Sequence, residues 1–253
     1  MKKMIVSDLD GTLLRSDKTI SAHSIEVLRS IEEKGIQLVF ATARPPRDAF
    51  RLNPDELKNN LVICYNGAVI YNNKELIYSR EMPLSTTREI FKEAGRFGLN
   101  QISTEVNDVL HSNFDVAKVF GSIPYTSVDL DEYAFEKTHK VMIYAEEKIP
   151  AGFIQDLPET CTVVVTDQGT LCQIMPRDVS KWNSIAHVLE DLEMDQQSVI
   201  AFGDDFNDME MIQHAGMGVA MGNAVDELKT LADHVTVTND QDGFAVFLRD
   251  LCL

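Results

Sequence analysis

Four short apolar runs in this chain break off abruptly into polar clusters, and that pattern constrains the fold more than any other feature. Ile5-Val6-Ser7 leads into Asp8-Leu9-Asp10-Gly11-Thr12. Leu38-Val39-Phe40-Ala41 leads into Thr42-Ala43-Arg44. Leu61 to Tyr65 leads into Asn66-Gly67, and Val199-Ile200-Ala201-Phe202 leads into Gly203-Asp204-Asp205-Phe206-Asn207-Asp208. Runs this short and this apolar read as strands buried on both faces, as in a parallel sheet. Amphipathic stretches between them supply crossover helices. From Ser21 to Lys34, apolar residues fall at mostly helical spacing, with Ser21 as a candidate N-cap and Gly35 as a stop. Pro45-Pro46 suits a helix start, and Ser180 to Leu192 is again helical. Alternation of strand and helix at both ends of the chain implies a doubly wound parallel sheet, α/β in class.

The texture changes after Pro83. Up to about Pro176 the pattern predicts a helix from Leu84 to Phe97, short strands, a helix near Val128 to Phe135, a strand at Lys140 to Ala145, a helix from Pro150 and two further strands. Strand pairs here are hairpin-like. The expected organisation is a Rossmann-like core formed by residues 1–82 and 179–253, with an inserted α+β cap at 83–178. With 253 residues, 44% of them hydrophobic, the chain has enough apolar material for both.

A formal net charge of −17 argues against binding to nucleic acid, whose phosphates call for Lys and Arg. No apolar run is long enough to span a bilayer. The N-terminal apolar stretch before Asp8 is too short for a signal peptide. The cysteines Cys64, Cys161, Cys172 and Cys252 show no paired spacing, so neither a zinc site nor a disulfide framework is expected, and a cytoplasmic location fits.

In open α/β sheets, ligands bind beyond the carboxyl ends of the strands. If the four runs are neighbours, their polar clusters share one crevice and crowd several carboxylates together. Such crowding is costly unless a cation or a proton compensates. A hard divalent ion held by oxygens fits Mg2+. An aspartate beside that ion can attack phosphorus, and a second carboxylate can move protons to and from the oxygens that leave and enter. Taken singly, Asp-x-Asp-Gly-Thr is also an ordinary turn and helix cap, and Gly-Asp-Asp-Phe-Asn-Asp an ordinary solvated loop. Arg44 fits a substrate contact or a loop ion pair equally well. Lys181, in the first turn of a helix, is misplaced against the helix dipole unless it faces an anion. Trp182 reads as packing.

The set "DLDGTLL", "ATARP", Lys181 and "GDDFND" resembles the four motifs of the haloacid dehalogenase-like hydrolases. The text around it, "YNGAVIY", "GMGVAMGNAVDELKTLADHVT" and "NDQDGFAVFL", resembles their Cof-type, class IIB branch. The resemblance implies a Mg2+-dependent phosphatase working through an aspartyl-phosphate. It implies Asp8 as nucleophile and metal ligand, and Asp10 as general acid/base with its backbone carbonyl on the metal. Asp204 would be the other metal ligand, with Asp208 supporting the metal's waters. Thr42, Lys181, Asn207 and the backbone at Leu9 and Ala43 would grip phosphate, and Arg44 and Asn66 could touch substrate. The family usually carries Gly where Asp178 and Trp182 stand.

The expected substrate is a small phosphorylated metabolite: a sugar phosphate, pyridoxal phosphate or a nucleotide-type phosphate. Choice among these is expected from the cap, and oligomeric state is left open. The competing readings are a non-catalytic phosphometabolite binder and a phosphotransferase or phosphomutase. The filled set of acids and lysine favours the hydrolase.

Overall fold

A computed structural model describes residues 3–52 and 60–252, the side chains of Asp250 and Cys252 excepted. The chain forms two compact units, Met1–Ser79 with Ser180–Leu253, and Arg80–Val179.

The first unit begins with β1 (Met4–Ser7), whose four residues are all buried. Helix α1 (Ala22–Glu33) starts at Ser21, whose hydroxyl accepts the Ser24 N–H. It stops before Gly35, which takes the left-handed conformation at φ 69°. Next come β2 (Gln37–Ala41), α2 (Pro46–Leu52) and β3 (Leu61–Cys64). A turn at Tyr65–Gly67 leads to the antiparallel β4 (Val69–Asn72) and β5 (Glu75–Ser79).

The second unit holds β6 (Met82–Pro83), α3 (Leu84–Arg96), β7 (Gln101–Val106), β8 (Val109–Ser112), α4 (Ala117–Phe120) and β9 (Thr126–Ser127). These are followed by β10 (Lys137–Thr138), β11 (Lys140–Tyr144), α5 (Ala151–Asp156), β12 (Cys161–Thr166) and β13 (Leu171–Pro176). Its main sheet has the order β12-β13-β11-β7-β8-β9 and is antiparallel except for the short β8–β9 pair. Ile90, Ala94 and Phe153 from α3 and α5 pack against Ile102, Val141, Ile143, Cys172 and Ile174 of the strands.

The helix expected near Val128 to Phe135 does not form. The Asp129 side chain accepts the Asp131 N–H at 2.9 Å, an Asx turn that competes with the helical alternative. Tyr133 is buried by edge contacts with Phe91 and Phe135 rather than by a helical stripe.

The chain returns to the first unit with α6 (Lys181–Asp191), β14 (Val199–Gly203), α7 (Met209–His214), β15 (Met217–Ala220), α8 (Asp226–Leu231), β16 (His234–Val235) and α9 (Gly243–Cys252). The completed sheet reads β16-β15-β14-β1-β2-β3-β4-β5, with the first six strands parallel. From β1 the chain winds outward through β2 to β3, and from β14 it winds the other way through β15 to β16. Right-handed crossovers therefore put the two sets of helices on opposite faces. In keeping with this, α1 packs on α9 and α6 on α7. The winding reverses between β1 and β14, where doubly wound sheets open a crevice at their carboxyl ends. Asp8 directly follows β1, and Asp204 directly follows β14.

Among the described residues no helix is long and apolar enough to cross a membrane. Cys64, Cys161 and Cys172 are free thiols, and burial pushes the last two up to about 11 and about 12.

Candidate active site

The Asp8 N–H donates to the Phe202 carbonyl at 3.0 Å, carrying the β1–β14 ladder one residue past the strand. That bond fixes where the Asp8 carboxylate projects. Lys181 Nζ donates to it at 2.6 Å and to Asp208 Oδ1 at the same distance. Lys181 is the first residue of α6, and the hydroxyl of Ser180 caps that helix by accepting the Asn183 N–H. All three charged groups are buried. Burial alone would pull the lysine pKa down, but the Asp208 and Asp8 carboxylates outweigh it and keep the ammonium charged. The unfavourable position of a cation at a helix N-terminus is thus offset by two anions.

Asp204 sits across the crevice. Thr12 donates its hydroxyl to Asp204 Oδ1 at 2.9 Å. Gly11 turns the backbone beneath it at φ 81°, and a β-carbon there would run into the Asp204 carboxylate. Gly203 plays the same part on the neighbouring strand, where a β-carbon would meet the Asp208 side chain. Asp208 Oδ2 accepts the N–H groups of Asp204 and Asp205 at 2.9 and 3.2 Å, while Oδ1 holds Lys181. Both of its oxygens are therefore engaged in fixing the loop and the lysine.

Carboxylate oxygens of Asp8, Asp204 and Asp208 lie within 4.8 Å of one another. Three buried or half-buried carboxylates against one ammonium leave an excess of negative charge. Burial, then Asp208, push Asp204 up to about 7. Burial raises Asp8 well above the usual carboxylate range; Lys181 opposes this but does not overcome it, and Asp208 and Asp204 add to the rise. An all-oxygen donor set with surplus charge fits a hard divalent cation.

Asp10 does not join this cluster. Its carboxylate faces Arg44, which donates through Nε to Oδ2 at 2.5 Å and through Nη2 to Oδ1 at 2.6 Å. Lys18 Nζ reaches Oδ1 at 2.9 Å. Burial pushes the Asp10 pKa up, but Arg44 and Lys18 outweigh it and hold the group below its ordinary value. Arg44 is thus engaged in an ion pair, one of its two sequence readings.

Thr42, Asn66 and Asn207 form a third group. The buried Thr42 accepts the Arg44 N–H on its hydroxyl at 3.1 Å and the Asn66 N–H on its carbonyl at 3.0 Å. Asn66, at φ 58°, accepts the Asn207 side-chain N–H at 2.9 Å. Leu9 is fully buried and its carbonyl caps the turn by accepting the Thr12 and Leu14 N–H groups. Ala43 lies half-buried on the loop between Thr42 and Arg44. Trp182 stacks on His214 of α7 with ring centroids 5.4 Å apart, as packing requires. Asp178 occupies a left-handed position at φ 64°, a conformation that glycine adopts freely and Asp tolerates better than most other side chains.

The structure adds Lys18 to the residues singled out from sequence and gives the Thr12 hydroxyl a role on Asp204. Thr12 had a signal, since it adjoins the Asp-x-Asp pair. Lys18 had none, because its reach to Asp10 depends on the turn that carries it.

A family model for haloacid dehalogenase-like hydrolases matches residues 5–248. The chain belongs to that family. A Haemophilus influenzae protein is 31% identical to this hydrolase over 258 residues, covering 99% of this chain and 98% of the other. A 5-amino-6-(5-phospho-D-ribitylamino)uracil phosphatase of Bacillus subtilis is 27% identical over 260 residues, with 98% and 96% covered. Among solved structures, a HAD subclass IIB sugar phosphatase shares the fold with a TM-score of 0.86 over 98% of both chains, at 22% identity. The hydrolase therefore has the fold of the class IIB, Cof-type branch.

Proposed function

We propose that this hydrolase releases phosphate from small phosphomonoesters through a phosphorylated Asp8. The observation that carries the reading is the buried Lys181 ammonium shared by Asp8 and Asp208, with Asp204 alongside. It sets a fixed, partly neutralised carboxylate at a strand end where a phosphoryl group can approach. In this reading the core is residues 1–82 and 179–253, and residues 83–178 select the substrate. Asp8, Asp204 and the Asp10 carbonyl would hold Mg2+, with Asp208 supporting the metal's waters. The chemistry supplied by bound Mg2+ is neutralisation of charge on the phosphoryl oxygens and on the nucleophile.

The Asp8 carboxylate forms a bond to phosphorus as the ester P–O bond breaks. Asp10 takes up a proton as the ester binds, gives it to the departing oxygen, then takes one from the water that cleaves the acyl phosphate and releases it as phosphate leaves, returning to its charged starting state. Arg44 and Lys18 favour its charged form, the one that accepts the water's proton. Lys181, Thr42, Asn207 and the backbone at Leu9 and Ala43 grip the phosphoryl group. The substrate class is a phosphorylated metabolite of sugar, pyridoxal or nucleotide type; the activity named for the B. subtilis relative supports a ribityl or sugar-like member.

The test is phosphate release from a generic aryl phosphate with and without Mg2+. Turnover should require the ion and should vanish in Asp8→Asn. Near-normal turnover in that variant would overturn the mechanism.

A further inference from the structure

The turn after the first motif does more than connect β1 to α1. Residues Arg15 to Thr19 close on themselves: the Arg15 N–H donates to the Thr19 carbonyl and the Lys18 N–H to the Arg15 carbonyl, both at 2.9 Å. Lys18 itself takes a left-handed conformation, φ 66°, which a lysine adopts only when its surroundings impose it. The imposing partner is the turn before α9. Arg15 donates through Nε and Nη2 to the two carboxylate oxygens of Asp242, at 3.0 and 2.8 Å. Asp240 accepts the Ser16 N–H at 2.8 Å and its hydroxyl at 2.7 Å. Buried Asn239 donates to the Leu14 carbonyl at 2.9 Å and hands its own N–H to Asn223, which in turn donates to the Gly11 carbonyl at 2.8 Å. Four residue pairs, Gly11–Asn223, Leu14–Asn239, Arg15–Asp242 and Ser16–Asp240, thus bind residues 11–16 to residues 223–242, and the turn sends the Lys18 ammonium to Asp10.

We infer that Lys18 is a positioning residue for Asp10, and that the turn Asn239–Asp242 sets its reach by clamping Arg15 and Ser16. The inference rests on Asp10 being the proton-transfer group proposed above. Arg44 holds the Asp10 carboxylate from one side in a two-point contact. Lys18, arriving from a separately anchored turn, adds a third point on Oδ1. An exposed ion pair contributes little to stability, so the contact is expected to register in proton transfer rather than in folding.

The experiment compares kcat/KM for an aryl phosphate, whose oxygen leaves without a proton, and an alkyl phosphate, whose oxygen needs one. Both are measured in the full-length Mg2+-loaded protein. Asp10→Asn serves as the reference and should lose far more on the alkyl ester. Lys18→Met should lose in the same sense, about tenfold on the alkyl ester and little on the aryl one, a part of the roughly 100- to 10,000-fold that general acid catalysis contributes. Lys18→Arg should restore most of the loss, and Asp242→Asn should reproduce part of it. Thermal melting of Lys18→Met should match the parent. Equal losses on the two esters, no loss at all, or failure of Lys18→Arg to restore the alkyl rate would overturn the inference. An Asp10→Asn variant without the leaving-group signature would instead overturn the assignment of Asp10, so the two failures are distinguishable.

Discussion

At the scale of single residues, the site is governed by who satisfies each buried carboxylate. Asp208 is saturated: a lysine on one oxygen, two backbone N–H groups on the other. Among the described residues Asp204 accepts from one donor, Thr12, and its pKa is raised. The difference is the reason Asp204 is the stronger candidate to lean on a cation. Thr12→Val removes that donor without changing side-chain volume, leaving Asp204 less satisfied. An unmade hydrogen bond to a buried group costs about 1–3 kcal/mol. The metal-free variant should therefore melt several degrees lower, and added Mg2+ should recover part of the difference. An unchanged melting temperature in the absence of metal would show that the hydroxyl matters little to Asp204.

At the scale of elements, the placement of Lys181 depends on where α6 begins. Ser180 in the extended conformation, with its hydroxyl on the Asn183 N–H, starts the helix one residue before the lysine. The Ser184 hydroxyl then ties the helix to the Gly67 carbonyl at 2.6 Å, and a β-carbon on Gly67 would strike the Ser180 backbone. Helix start and β3 turn therefore fix each other. Loss of an N-cap hydroxyl costs about 1 kcal/mol, so Ser180→Ala should lower the melting temperature modestly. It should lower kcat for an aryl phosphate as well, because fraying at Ser180 moves Lys181. A stability loss with kcat intact would place the lysine under the control of its two carboxylates alone.

Much of this was legible in the linear order of residues, for identifiable reasons. Buried strands ending in acids announce themselves because the apolar run and the polar break are adjacent in sequence, and so β1, β2, β3 and β14 with Asp8, Thr42, Asn66 and Asp204 could be placed at the ends of neighbouring strands. The Asp10–Arg44 pair and the Lys18 contact could not be read this way, since each depends on side-chain direction across separate loops. The segment Val128 to Phe135 misled for a different reason. Its apolar residues imitate helical spacing, but Asp129 spends its side chain on the backbone two residues ahead.

For the whole molecule, the crowded carboxylates link proton, metal and fold. Asp204 is raised from 3.8 to about 7, and Asp8 shifts in the same direction. The native state therefore binds more protons than the unfolded chain in that interval. The contribution of these groups is most favourable below the unfolded value and is lost as pH rises through the folded one. In the proposed reading, a divalent cation on the same oxygens would replace the missing protons. The rise in melting temperature on adding Mg2+ should thus be small near about pH 5 and should grow to a plateau above about pH 7, following that linkage. Asp204→Asn should flatten the trend. A Mg2+ effect of equal size at both ends of the range would mean that the ion is not held by these groups.

The strand order also has a consequence for how the molecule comes into being. The lysine that meets Asp8 lies 173 positions further along the chain, and β14, the other neighbour of β1, is later still. During synthesis from the N-terminus, β1 can pair with β2 but keeps one open edge until the whole of the intervening unit has emerged. An unpaired apolar edge is a template for wrong partners. The segment that carries Asp8 is therefore exposed to misassembly on the ribosome, and the closing of that edge by β14 brings Asp204 beside Asp8 in the same event.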